Sequence, residues 1–119
     1  MLKICVTGGR DFDNDALVKE TLDAYLGQDV TLAHGNAPGA DTLCALYACR
    51  VGWPVKCYPA DWKTYKKAAG GLRNSLMLQD FNPDLLVAFP GGSGTADCCR
   101  KALTKGVTIV YAKWNKGDE

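Results

Sequence analysis

Three short apolar runs in this chain end in glycine, and a helical pattern follows each one. Residues 2–6 run into Thr7-Gly8-Gly9-Arg10. Residues 30–34 run into Gly35-Asn36-Ala37-Pro38-Gly39-Ala40-Asp41. Residues 84–89 run into Pro90-Gly91-Gly92-Ser93-Gly94-Thr95. Strands alternating with helices predict right-handed βαβ units, and so a parallel sheet with helices on both faces. Ligands of such sheets bind beyond the carboxyl ends of the strands, which is where all three glycine clusters fall. The expected fold class is α/β: one three-layer domain with a mostly parallel sheet of about five strands over residues 1–111, then a polar, fraying tail over 112–119.

The remaining elements follow from period and punctuation. Asp13 or Asn14 caps a first helix to about Leu26, with Leu17, Thr21, Leu22 and Tyr25 on its apolar face and Gly27 as its stop. A second helix runs from about Ala40 to Val51, with Leu43, Leu46, Tyr47 and Arg50 on related turns, and Gly52 ends it. Residues 55–58 read as a third strand, and 59–67 as a loop holding Trp62 and Tyr65. Residues 68–71 (Ala-Ala-Gly-Gly) read as a break. A third helix follows over 72–80, with Leu72, Leu76 and Met77 turned to the core. The fourth helix spans 96–106 with Ala96, Cys99, Ala102 and Leu103, and residues 107–111 form the fifth strand.

The bulk numbers exclude several classes. Fourteen basic against 13 acidic residues leave a net charge of +1, so no basic field advertises a nucleic-acid polymer. No stretch has the length of a membrane span. Six cysteines lack a CxxC pair, the only histidine is His34, and the apolar start is too short for a secretory signal. The reading is a reducing, cytoplasmic setting with no metal and no cofactor. One histidine also disfavours His-based catalysis, and the spacing supports no Ser–His–Asp set.

The glycine turn before Thr95 is the strongest candidate site. Three glycines in four positions let backbone approach a ligand closely. The N–H groups of the following helix favour an anion. The competing reading is a tight turn and nothing more. It is neither a Walker A loop, lacking the lysine, nor the dinucleotide GxGxxG. Arg10 offers a forked phosphate clamp, or is a solvated surface arginine. Asp41 is a partner for a ribose hydroxyl, but a helix cap is the favoured reading. Arg73 and Asn74 stand one turn into a helix, where a cation opposes the dipole and an anion would explain it. Asp97 balances the dipole of the last helix or faces a ligand. Cys98 reads as packed, and Trp62 as core under a loop before a stacking residue.

Thr7 to Phe12, His34 to Asp41, Ala60-Asp61-Trp62, Ala68-Ala69-Gly70, Arg73-Asn74 with Met77, and Ala88 to Asp97, taken in that order, resemble the YpsA-related branch of the SLOG superfamily. The resemblance covers Lys3 to about Tyr111. It implies a Rossmann-like fold binding a nucleotide or nucleotide-derived small molecule, in some relatives as a sensor in phage-linked conflict systems, and a homodimer. Related LOG-type phosphoribohydrolases cleave the N-glycosidic bond of nucleoside monophosphates and share the Pro-Gly-Gly-x-Gly-Thr turn followed by a glutamate. Cys98 occupies that glutamate position here, with Asp97 before it, and a thiol cannot replace a carboxylate against an oxocarbenium-like transition state.

The expected function is therefore binding of a nucleotide-like small molecule, as sensor or sequestering protein. The expected contacts are Thr7, Gly8, Gly9, Arg10, Gly35, Gly39, Asp41, Arg73, Asn74, Gly91, Gly92, Gly94 and Thr95. The alternative is a phosphoribohydrolase, with Asp97 as acid and Arg73 positioning the substrate.

Overall fold

The chain builds five strands from short runs that each carry at least one Val or Ile and are closed by a turn signal. They are β1 (Leu2–Thr7), β2 (Val30–His34), β3 (Val55–Cys57), β4 (Leu85–Ala88) and β5 (Thr108–Tyr111). A computed structural model describes residues 1–112; the expected tail after Ala112 lies outside the described residues. All neighbouring strands are parallel, in the order β3-β2-β1-β4-β5.

Helices cover both faces of this sheet, which is why its central strands are apolar at successive positions. Ile4 and Val6 of β1 pack with Leu17, Val18 and Leu22 of α1 (Asp15–Leu22) and with Cys44, Tyr47 and Ala48 of α2 (Ala40–Val51). Cys5, between them in sequence, points the other way. It meets Met77, Leu78 and Phe81 of α4 (Ala69–Phe81) and Cys98 and Ala102 of α5 (Ser93–Lys105). A single turn of helix, α3 (Trp62–Tyr65), sits between β3 and α4, capped by Asp61, whose Oδ1 accepts from Thr64 N at 3.1 Å.

Several local expectations are corrected. The first helix stops at Leu22 and tightens into a 3₁₀ turn over Asp23–Tyr25, where Asp23 accepts a 2.7 Å hydrogen bond from the Tyr47 hydroxyl. Gly70 and Gly71 do not break the chain. They lie inside the first turn of α4, because a helix N-terminus still lacks its intrahelical partners and tolerates glycine there. Leu72 and Leu76 face outward, 48% and 57% exposed, whereas Met77 is in the core as expected, with Leu78 beside it. Leu46 and Leu103 are likewise exposed, whereas Ala112, assigned to the fraying tail, is buried and donates its N–H to Ala88 O at 2.8 Å.

Candidate functional site

Strand order fixes where a cleft can form. From β1 the chain moves through β2 to β3 on one side, then returns to β4 and β5 on the other. The loops after β1 and β4 thus leave neighbouring strands in opposite directions, and a crevice opens between them. A cleft of about 830 Å³ occupies that switch point. All of the residues expected to touch a ligand border it except Gly39, which stands behind the wall as the N-cap of α2 with φ of 80°.

The cleft wall is made of loops bonded to one another. Gly9 N donates to Pro90 O at 2.9 Å, and Ala40 N donates to Gly9 O at 3.1 Å. These contacts account for part of the glycine pattern without a ligand. A Cβ on Gly91 would stand 2.6 Å from Gly9 N, and one on Gly8 would stand 2.9 Å from the Phe89 Cβ. A Cβ on Gly35 would collide with the Arg73 guanidinium. Gly92 and Gly94 differ: nothing lies within 4 Å of the Cβ either would carry, and both face the cleft. Gly92 is the N-cap of α5 and supplies no side-chain cap, and no acid occupies that helix's first turn. The positive end of the α5 dipole therefore meets the cleft uncompensated, with Ser93, Gly94 and Thr95 along its edge.

The charged side chains divide into held and free groups. Arg73 donates Nη1 to Gly35 O and Nε to Asn74 Oδ1 (2.9 Å), which leaves further guanidinium donors beside the cleft. Asn74 is buried, and its Nδ2 bridges to Asp97 Oδ2 at 3.1 Å and Gly94 O at 3.3 Å. Asp97 also pairs with Lys101 at 3.1 Å and with Arg100. Partial burial pushes its carboxyl upward, but Asn74, Lys101 and Arg100 outweigh that and hold it below the usual carboxylate range. Asp97 thus faces the cleft as a carboxylate.

Asp41 does not cap its helix. It is 5% exposed, and its Oδ2 accepts from Gly35 N at 3.0 Å and Ala37 N at 3.3 Å, tying down the loop after β2. Burial raises its carboxyl pKa against these two donors and the neighbouring His34 and Arg73. His34 is buried beside it and accepts from Asn36 N through Nδ1 at 2.9 Å; burial lowers its pKa, so the neutral ring that can accept is the favoured form. Cys98 is fully buried, and burial pushes its thiol up to about 12 despite a hydrogen bond with Thr7.

Trp62 is the principal residue that the sequence assigned wrongly. It is 47% exposed rather than core, and it borders the cleft with the Arg10 guanidinium 5.9 Å from its ring centroid. Phe12 and Lys67 also line the cleft without having been singled out. The signal for Trp62 was available: an Asp-Trp pair after a proline, with the cap at Asp61, marks a surface helical turn and not a core strand.

Among the described residues no helix is long and apolar enough to cross a membrane. No curated protein sequence matches the chain. Solved structures match its fold. DNA processing protein A (DprA) from Streptococcus pneumoniae is 16% identical at a TM-score of 0.56, over 92% of this chain and 58% of that one. UDP-GlcNAc 2-epimerase from Neisseria meningitidis, bound to UDP-GlcNAc, is 13% identical at a TM-score of 0.57, over 93% of this chain and 32% of that one. This chain thus spans little more than half of the first and about a third of the second, and the likeness is one of Rossmann-like fold. Residues 2–65 match the model of the YspA, cpYpsA-related SLOG family (YAcAr), to which this chain belongs.

Proposed function

We propose that this protein binds a nucleotide or nucleotide-derived small molecule in the switch-point cleft, as a sensor or sequestering protein. The observation that carries the reading is the uncapped N-terminus of α5 opening into the cleft between two glycines that no protein atom requires. Phosphate oxygens would take the N–H groups at Ser93, Gly94 and Thr95, with the Thr95 hydroxyl and the spare donors of Arg73 beside them. Thr7, Gly8, Gly9 and Gly35 would pass close to the sugar, and Arg10 would add charge at the mouth. Family membership supports a ligand of this class, and the Neisseria enzyme with a similar fold is bound to UDP-GlcNAc.

One observation favours hydrolysis. Asp41 and Asp97 border the same cleft with their carboxyl pKa values moved in opposite directions, the arrangement that separates an acid from a base. Three facts weigh against it. Asp41 already spends Oδ2 on two loop N–H groups. Asp97, the acid of the hydrolase reading, is held ionised, and the neighbouring Cys98 thiol is buried where LOG-type enzymes have a glutamate.

The test is mass spectrometry of the purified protein after incubation with nucleoside mono- and diphosphates, cyclic nucleotides and ADP-ribose. An intact compound retained stoichiometrically is the expected result. Free base and ribose phosphate in the filtrate would establish hydrolysis instead.

A further inference from the structure

We propose that Trp62 and Arg10 form a stacking clamp for a flat aromatic base, so that the ligand of the cleft must carry one. The inference deepens the nucleotide reading and rests on it. Trp62 is held from below: the Asp61 cap fixes its helical turn, and Gly70 of α4 leaves room for the indole edge, 3.3 Å from where a Cβ would stand. The Arg10 guanidinium stands over the ring, 5.9 Å from its centroid. A base between two stacked partners sets the outer planes ~7 Å apart, since each layer needs ~3.5 Å. Arg10 is exposed and follows Gly9, so opening by ~1 Å asks for a side-chain adjustment, not a loop movement.

The surroundings agree with a base here and phosphate elsewhere. Trp62 and Arg10 border both the main cleft and an adjoining chamber of about 130 Å³, walled further by Asn36, Pro59 and Ala60. A half-exposed tryptophan under a cation is otherwise an unused apolar surface, because its ring fills no core cluster. Every base presents a π-face, so this clamp selects nucleotides over sugar phosphates without choosing among bases.

Calorimetric titration of the full chain separates the outcomes, using AMP, GMP, CMP and UMP with ribose 5-phosphate as the base-free probe. The expected result is that Trp62→Ala weakens the best-bound mononucleotide about ten- to a hundred-fold. Trp62→Phe should restore most of that loss, and the weaker binding of ribose 5-phosphate should stay unchanged in both variants. Equal affinity of mononucleotide and ribose 5-phosphate for the wild-type protein, or equal loss of both in Trp62→Ala, overturns the clamp and leaves the phosphate site standing. Failure of these probes, and of nucleoside diphosphates, cyclic nucleotides and ADP-ribose, to bind the wild-type protein overturns the nucleotide reading, and the clamp with it.

Discussion

Replacing Gly94 by alanine should make the protein more stable and its ligand bind less well. Gly94 lies in the first turn of α5, its φ is not in the left-handed region, and no atom stands within 4 Å of the Cβ it would acquire. The folded state thus accepts the methyl freely, while the unfolded chain loses freedom, a gain of ~0.5 kcal/mol. For a domain of 119 residues that corresponds to a Tm rise of ~2–3 °C. The same methyl projects into the space where phosphate oxygens would approach the helix N-terminus. It should weaken the tightest-binding nucleotide at least ~10-fold, the scale of one lost charge-assisted contact. Gly91→Ala is the contrasting variant. Its methyl would meet Gly9 N at 2.6 Å, backbone that cannot yield without parting two loops, so stability should fall by ~1–3 kcal/mol. Differential scanning calorimetry and isothermal titration on the two variants read both quantities. If Gly94→Ala binds as tightly as the wild type, the phosphate does not sit on the α5 N-terminus.

Three further outcomes follow from the polar groups around the cleft. Asp97→Asn should leave nucleotide affinity within a few-fold of wild type and should abolish any release of free base; loss of binding without turnover in the wild type would make Asp97 a ligand contact. Asp41→Ala should strand the Gly35 and Ala37 N–H groups at a cost of ~1–3 kcal/mol, visible as faster amide hydrogen exchange over residues 35–37. The raised Asp41 pKa adds a sign: the native state holds that proton longer, so wild-type stability should fall relative to Asp41→Asn as pH rises above 3.8 toward the folded pKa, and a flat difference refutes this. His34 is the only histidine, so its NMR titration needs no assignment; it should fall below 6.5, and stability should drop as pH falls beneath that value, because the unfolded chain takes the proton first. Titration at or above 6.5 would show that burial does not hold the ring neutral.

The sheet was legible because parallel strands buried on both faces must be apolar throughout, and residues 85–89 are. Strand order was not, since sequence carries no record of which side of β1 a later strand joins; yet that order makes the crevice. Gly70-Gly71 misled because glycine reads as punctuation, whereas here it leaves room for an indole beside a helix start. Asp41 misled because a cap and a loop clamp ask for the same residue near the same helix end, and only the positions of the Gly35 and Ala37 N–H groups tell them apart. The glycine clusters looked alike in sequence but divide in space. Gly8, Gly9, Gly35 and Gly91 answer to neighbouring protein atoms, and Gly92 and Gly94 answer to none. Packing explains the first set whatever the protein does. Only the second set requires a reason outside the chain, and both of its members border the cleft. The case for an anion there rests on two glycines and a helix end, not on the richness in glycine that first marks the sequence.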